Sequence, residues 1–318
     1  MPHLLTSLGE ILIDFLPITE GGATVGFRMH PGGSPFNVAM GTARLGQPTA
    51  FAGKVSADFF GRVLRAAVER EGIDTRFLLS SDAPTTLAFV ANERGDAVFT
   101  FYGERAADTL LTPGDLPEAL FAETAALHVG SISLLRGTTP EAVEAAAARL
   151  HRRALISLDP NIRPGLVRDE SSYRARLARL IALADLVKIS AADLAWLLPG
   201  LPPEAAAAEL LAQGPELVVV TQGGKGAFAL RAATREAHAV AGFMVHVADA
   251  VGAGDTFNAG LLAGLAERGA LSRAALAALP AGELVGVLRL AAAAAALNCT
   301  RPGADPPRRA EVAAFLGE

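Results

Sequence analysis

The sequence predicts an α/β fold in which a mainly parallel sheet is covered on both faces by helices. Two observations carry that expectation. Short apolar runs recur along the chain, each ending in a small or polar residue and followed by a stretch of helical period. Alternation of this kind builds βα units, whose strands run parallel and are buried on both faces. Two other segments, 17–33 and 85–103, break the rhythm and lack helical period. They set apart a second, smaller sheet.

The elements follow in order. "HLLTSLGE" opens the chain as a buried strand; the N-terminal stretch is apolar, but acidic residues interrupt it and no basic run precedes it, so it does not read as a signal peptide. "PITEGGATVGFRMHPGG" (17–33) and "TTLAFVANERGDAVFTFYG" (85–103), the latter as two strands around "NERGD", form a small antiparallel sheet over the main sheet's edge. The glycines beside "GGSPFNVA" favour a mobile lid. The strand "TAFAGKVS" (49–56) precedes the helical "DFFGRVLRAAVEREG", "AALHVGS" (125–131) precedes "PEAVEAAAARLHRR", and "ALISLDPN" (154–161) precedes "YRARLARLIAL". "LVKIS" (186–190) and "ELVVVTQG" (216–223) continue the series, and "LRLAAAAAALNCT" (288–300) is too short to cross a bilayer and reads as a packed helix. His128 and His246 sit in apolar strand contexts and read as buried structural histidines. No repeat or linker marks a second domain. Residues 1–318 are expected to be one domain, with the lid entering at about 14–34 and 84–105.

Composition narrows the function. A chain that is 51% hydrophobic with 32 glycines suits a globular enzyme. A net charge of −5 without a basic run argues against nucleic acid or a membrane surface as the partner. Cys299 is the only cysteine, so no intrachain disulfide forms and a reducing cytoplasm is the expected compartment. The six histidines lack metal-ligand spacing. Neither GxxxxGK[ST], nor HRD with DFG, nor GxSxG occurs, and no GxGxxG follows the first strand.

Chemistry concentrates at strand ends and glycine turns. In open α/β sheets ligands bind at the carboxyl ends of the strands, where Asp159, Asn161, Lys188 and Thr221 fall. In "DAVGAGDTFNAG" (249–260), Gly252, Ala253 and Gly254 supply the first N–H groups of a helix whose Phe257, Leu261 and Leu265 recur every four residues. Such a terminus binds an anion. Asp255 would repel a resting anion, yet it could take a proton from an attacking hydroxyl while the N–H groups stabilise a transferring phosphoryl group. As a mere first-turn acid it would favour the macrodipole by about 0.3–1 kcal/mol. On this turn alone the two readings weigh equally. "GGSPFN" (32–37) pairs a glycine hinge with Asn37, a helix cap or a polyol ligand. "VVVTQGGKGAF" (218–228) ends a strand in a turn that phosphates can approach closely.

Together these motifs resemble the ribokinase-like (PfkB) carbohydrate kinases. "GGSPFNVAMGTARLG" (32–46) is similar to the family's first signature and "DAVGAGDTFNAGLLAGL" (249–265) to its second, with "SLGEILIDF" and "CTRPGA" at the two ends. The resemblance implies a three-layer α/β/α sandwich with a small β-sheet lid, and transfer of the ATP γ-phosphate to a sugar hydroxyl. It implies Asp255 as general base, with Gly252, Ala253 and Gly254 as the anion hole. Asp14, Gly32, Gly33 and Asn37 match sugar-binding positions, and a carboxylate such as Asp14 accepts from two adjacent hydroxyls. Thr221, Gly223 and Gly226 match the nucleotide-phosphate turn, Lys188 falls on the same side, and Asn298 lies in the expected adenine region. Asp249, Val251 and Gly303 match a monovalent-cation site, for which K⁺ is the candidate; "DAVGAGD" stands where "DTTGAGD" is commoner. The usual Asn-x-x-Glu after "VKIS" is Ser190-Ala-Ala-Asp193 here, leaving Asp193 to orient Mg²⁺ through water.

"SLGEILIDF" and "DPNIRP" (159–164) resemble the fructokinase and 2-keto-3-deoxygluconate kinase branch. Asn161 and Arg163 fall just past a strand end, and Arg163 suits stabilisation of transition-state charge. "FTFYGERAAD" (99–108) matches the acceptor-facing lid return; Arg105 would supply the cation that a keto-deoxy acid needs. Phe36 and Phe101 either stack on the sugar or fill the lid core. Fructose is the expected acceptor and the keto-deoxy acid the alternative. A sheet lid exposes edges that pairing across a two-fold axis would cover, so a homodimer is expected.

Overall fold

The computed structural model describes residues 4–93 and 96–318, with the backbone alone over 91–93 and 96–99. In chain order the strands are β1 (Leu4–Leu8), β2 (Leu12–Glu20), β3 (Ala23–Gly32), β4 (Thr49–Ser56), β5 (Leu78–Ser81), β6 (Leu87–Glu93) and β7 (Asp96–Tyr102). They continue as β8 (Thr124–Gly130), β9 (Leu155–Asp159), β10 (Leu186–Ser190), β11 (Leu217–Thr221), β12 (Ala227–Arg231) and β13 (Ala237–Val240). The helices are α1 (Ser34–Arg44), α2 (Phe59–Arg70), α3 (Glu118–Glu123), α4 (Thr139–Leu150), α5 (Glu170–Leu183) and α6 (Ala191–Leu197). Then come α7 (Pro203–Ala212), α8 (Ala253–Glu267), α9 (Arg273–Ala278), α10 (Ala281–Cys299) and α11 (Arg309–Leu316).

Nine strands form the main sheet in the order β13-β12-β11-β10-β9-β8-β1-β4-β5. From β5 to β11 every neighbour is parallel; β12 and β13 add an antiparallel edge. Alternation along each strand supplies two cores. Leu4 and Leu8 of β1, with Val218 and Val220 of β11, face Val143 of α4, Leu177 of α5 and Leu210 of α7. Leu5, Leu217 and Val219 face Phe257 and Leu261 of α8 and Val287 and Leu288 of α10. Each such side chain gains about 1.5–3 kcal/mol from leaving water, which makes the double-sided burial of the strands the main stabiliser. The sheet is the expected mainly parallel, helix-covered one.

The order of the strands places the site. From β1 the chain moves outward to β4 and β5, then crosses back to β8 and proceeds through β9, β10 and β11. The gap between β1 and β8 is the switch point, beyond whose carboxyl ends an open α/β sheet binds ligands.

The smaller sheet has the order β3-β2-β6-β7 and comes from two stretches of chain. β2 and β3 form a hairpin with Asp14 opposite His30, while β2 and β6 run parallel with Phe15 opposite Phe89. Phe15 and Phe89 stack at 4.7 Å, Phe27 meets Phe89 edge-on at 5.1 Å, and Phe15 reaches Phe60 of α2 at 5.9 Å. The first two contacts pack the small sheet's own face, and the third joins it to the main body. Of the expected "NERGD" turn, residues 94 and 95 lie outside the described residues.

The structure corrects one histidine and supports the other. His128 is buried beside Ser157 Oγ at 3.1 Å, and burial holds it down to about 4. His246 is exposed on a stretch with no strand; its apolar neighbours belong to a surface connection, not a sheet. Among the described residues α10 is the one helix long and apolar enough to cross a membrane, and more than half of it is packed inside the protein against α8 and β13.

Candidate active site

A cavity of about 590 Å³ opens beyond β1, lined by Glu10, Asp14, Asn37, Phe101, Arg163 and Asp255 among others. Helix α8 begins at its rim. Gly252 is the N-cap at φ 74, a left-handed conformation, and a Cβ there would stand 2.5 Å from Ala304 Cβ. Only glycine meets both demands. The N–H groups of Gly252 and Gly254 have no protein acceptor among the described residues, whereas that of Ala253 bonds the Ala250 carbonyl at 3.2 Å. Of the three expected anion-hole donors, two are therefore free and Ala253 is spent in the turn.

Asp255 is buried, and its two oxygens are held from opposite partners. Ser34 Oγ donates to Oδ1 at 2.6 Å and Asn37 Nδ2 to Oδ2 at 2.8 Å. Burial raises its pKa and these two donors pull against it. Among the described residues Asn37 Oδ1 is buried with no partner, an acceptor whose desolvation a ligand donor would offset.

Asp14, on β2, is pushed up to about 7 by burial first, then by the charges of Asp255 and Glu10, with Arg163 opposing. Gly32 gives it room: a Cβ there would stand 2.8 Å from Asp14 Cγ and closer still to Oδ2. Gly33 lines the same cavity. Glu10, which the sequence reading did not single out, is also held at about 7, chiefly by burial. Its carboxylate accepts from the backbone N–H groups of Ser34 at 3.2 Å and Ser133 at 3.1 Å and from the Ser133 hydroxyl. It ties the start of α1 to the segment after β8. A signal existed: an acid two residues past a buried strand at the switch point.

A buried ion pair underlies the turn. Lys188 Nζ donates to Asp159 Oδ2 at 2.8 Å, and Asn258 Nδ2 of α8 donates to the same oxygen at 2.7 Å. The ammonium lies 3.0 Å from where a Gly254 Cβ would be. Lys188 is expected to meet a nucleotide; the structure places it beneath the turn, and it lines neither this cavity nor the smaller one described below. Asn161 takes φ 41 and accepts from Arg163 Nη1 through Oδ1 at 2.7 Å, which fixes the guanidinium at the cavity wall. Asp193 is bonded to Ser190 Oγ at 2.8 Å as part of the α6 cap, and burial followed by the Asp159 charge raises its pKa.

A second cavity of about 300 Å³, mostly apolar, is lined by Thr221, Gly223, Gly226, Phe243, Phe257 and Cys299 among others. Both cavities share Val247, Ala250 and Gly254. The glycine turn is thus the partition between them.

Two expected positions lie away from these two cavities. Asn298 is fully buried and lines neither cavity; its amide donates to the Val251 carbonyl at 2.8 Å and accepts from Asp305 N at 3.0 Å. It fastens loops and does not face a base. Arg105 lines a separate hollow with Arg136 and Arg168, because Gly103 through Arg105 turn away from the cavity after β7. Phe36 is fully buried at 6.0 Å from Phe51, a core residue, while Phe101 does line the large cavity. Asp249 accepts from Val251 N at 3.0 Å and Gly303 N at 2.8 Å, so the three residues of the expected cation site are brought together.

The chain is matched over residues 2–310 by the model of the pfkB family carbohydrate kinases. It is 38% identical over 276 residues to a fructokinase of Rhizobium leguminosarum bv. trifolii, covering 87% of this chain and 84% of that one. Fructokinase of Xylella fastidiosa with bound ATP superposes with a TM-score of 0.90 at 31% identity, over 99% of this chain and 98% of the other. A double mutant of Vibrio cholerae O395 fructokinase in its fructose, ADP and potassium ion bound form gives 0.86 at 30% identity, over 99% and 98%. With an α/β sheet, a switch-point cavity and a glycine–aspartate turn between two pockets already in place, the match over nearly the whole chain settles the family: the chain belongs to the pfkB carbohydrate kinases.

Proposed function

We propose that the protein is an ATP-dependent fructokinase, transferring the γ-phosphoryl group of ATP to a hydroxyl of fructose. One observation carries the reading: the Gly252–Asp255 turn stands between two cavities, with Asp255 lining the larger and Gly254 lining both. Fructose occupies the larger cavity. Asp14 accepts from adjacent hydroxyls, and the unpartnered Asn37 Oδ1 accepts another. The apolar cavity takes the nucleoside, with its phosphates running toward the turn past Thr221, Gly223 and Gly226.

Asp255 removes the acceptor proton as the new P–O bond forms, so its raised pKa makes it a better base without requiring early deprotonation of the sugar. The N–H groups of Gly252 and Gly254, at the positive end of α8, stabilise the charge on the moving phosphoryl group. Arg163 adds a cation from the cavity wall. The small sheet acts as a lid whose closure over the sugar keeps water from the phosphoryl group.

Magnesium fits as a partner of the nucleotide. Among the described residues no group of three or more His, Cys, Asp or Glu side chains encloses a metal, but Asp193 lies within the fields of Asp159, Lys188 and Arg163. It would hold Mg²⁺ through water, the ion neutralising phosphate charge. Potassium fits the loops that Asp249 clamps, whose carbonyls are its usual ligands.

The lid sheet exposes Ile18, Val25, Phe27, Met29 and Tyr102 and ends in the edge strands β3 and β7; a homodimer through this sheet would cover them. A lone half-buried cysteine suits a reducing cytoplasm. The keto-deoxy acid loses its main support, since Arg105 lies outside the acceptor cavity. ADP release from Mg-ATP should be strongest with fructose in a panel of fructose, 2-keto-3-deoxygluconate, ribose, adenosine and no acceptor. Preference for another acceptor would overturn the assignment.

A further inference from the structure

Phe101, a wall of the acceptor cavity, carries the Arg136 guanidinium 5.8 Å from its ring centroid. Arg136 in turn lines a separate hollow of about 300 Å³, with Glu104, Arg105 and Arg168 as its other charged walls and Leu135 and Leu166 between them. Three stretches meet there: the chain after β7, the turn after β8 and the segment after β9.

The charges are unbalanced. Three arginines and one glutamate leave a net charge of +2 on the lining. Elsewhere the buried or half-buried arginines find acceptors, as Arg44, Arg174 and Arg176 do. Arg105, Arg136 and Arg168 have no hydrogen bond or ion pair among the described residues. Burial depresses the Arg136 pKa and repulsion from Arg168 adds to the effect, with Asp108 and Glu104 opposing. Arg105 and Arg168 are exposed and Arg136 is half-buried; their guanidinium N–H groups have no protein acceptor among the described residues, and an oxyanion can accept from several planar guanidinium forks at once.

We propose that this hollow binds a phosphate group, borne by free inorganic phosphate or by a small phosphorylated metabolite. A phosphate dianion matches the +2 lining, and the volume admits the group with a small body attached. Because Arg136 lies against Phe101, occupancy also bears on the acceptor cavity, a consequence that rests on the function proposed above.

The binding itself is tested on the full chain without ATP or sugar. Inorganic phosphate and glucose 6-phosphate are titrated calorimetrically at low salt onto wild type, Arg136→Gln and Arg168→Gln. Wild type should bind at least one of them, and each substitution should weaken binding tenfold or more. Binding of inorganic phosphate identifies the free anion as sufficient; binding of glucose 6-phosphate alone identifies a phosphorylated metabolite. No binding of either, or equal affinity in wild type and Arg168→Gln, overturns the proposal, the latter because phosphate would then sit elsewhere, as at the α8 terminus. Arg168 is exposed, so its variant folds even if Arg136→Gln does not. Failure of fructose turnover would leave this result untouched.

Discussion

Gly32→Ala probes the acceptor pocket with a single methyl group. Gly32 lies outside the left-handed region, so the backbone admits alanine and the conflict is confined to the neighbouring side chain. The new Cβ would stand 2.8 Å from Asp14 Cγ, whereas an ordinary contact begins at 3.4 Å. The carboxyl must retreat, its oxygen further than its carbon. Asp14 would then lose one or two charge-assisted bonds to the sugar, each worth about 1.5–3 kcal/mol. Since 1.4 kcal/mol is about tenfold, kcat/KM for fructose should fall by roughly 10- to 10⁴-fold. The loss should come largely through KM, because Asp255 is held by Ser34 and Asn37 and not by Asp14. Steady-state ADP release over a fructose range, with ATP binding followed separately, measures both. A fructose KM within twofold of wild type would refute the reasoning, as would an equal loss of ATP affinity.

Lys188→Met should destabilise the fold by about 3–5 kcal/mol in chemical denaturation, because Asp159 would be left buried without its cation. Asp14, held at about 7 when folded against an ordinary 3.8, binds more protons folded than unfolded across that interval. Stability of the unliganded protein should therefore fall as pH rises from about 4 to about 7, and by less in Asp14→Asn; thermal unfolding across this range checks it. Fructose affinity should rise over the same interval as Asp14 ionises, which calorimetry can follow.

Much of the sheet was legible because strands buried on both faces are continuous apolar runs with abrupt ends. "TAFAGKVS" and "LVKIS" coincide with β4 and β10 to the residue. β5 is four residues with two serines, and β12, after a glycine turn, pairs with the four-residue β13 as a short antiparallel edge; neither gives a periodic signal. The apolar stretch around His246 misled for the opposite reason, being hydrophobic without pairing.

The site divides along similar lines. Asp255, Asn37, Asp14 and Arg163 could be placed because motif spacing fixes them on helix starts and strand ends, and all four line one cavity. Arg105 and Asn298 could not, since spacing does not say which way a loop turns or which side of a helix end faces the core. Glu10 and Ser34 escaped because their work is done through contacts distant in sequence, Glu10 with Ser133 and Ser34 with Asp255.

The central claim is that Asp255 is the base acting across the partition between the two cavities. The most direct measurement is kcat of Asp255→Asn with fructose and Mg-ATP, alongside calorimetric binding of each substrate. With Asp255 as the base, kcat should fall by about 10²–10⁴ with both substrates still bound. A variant that turns over within tenfold of wild type would contradict it.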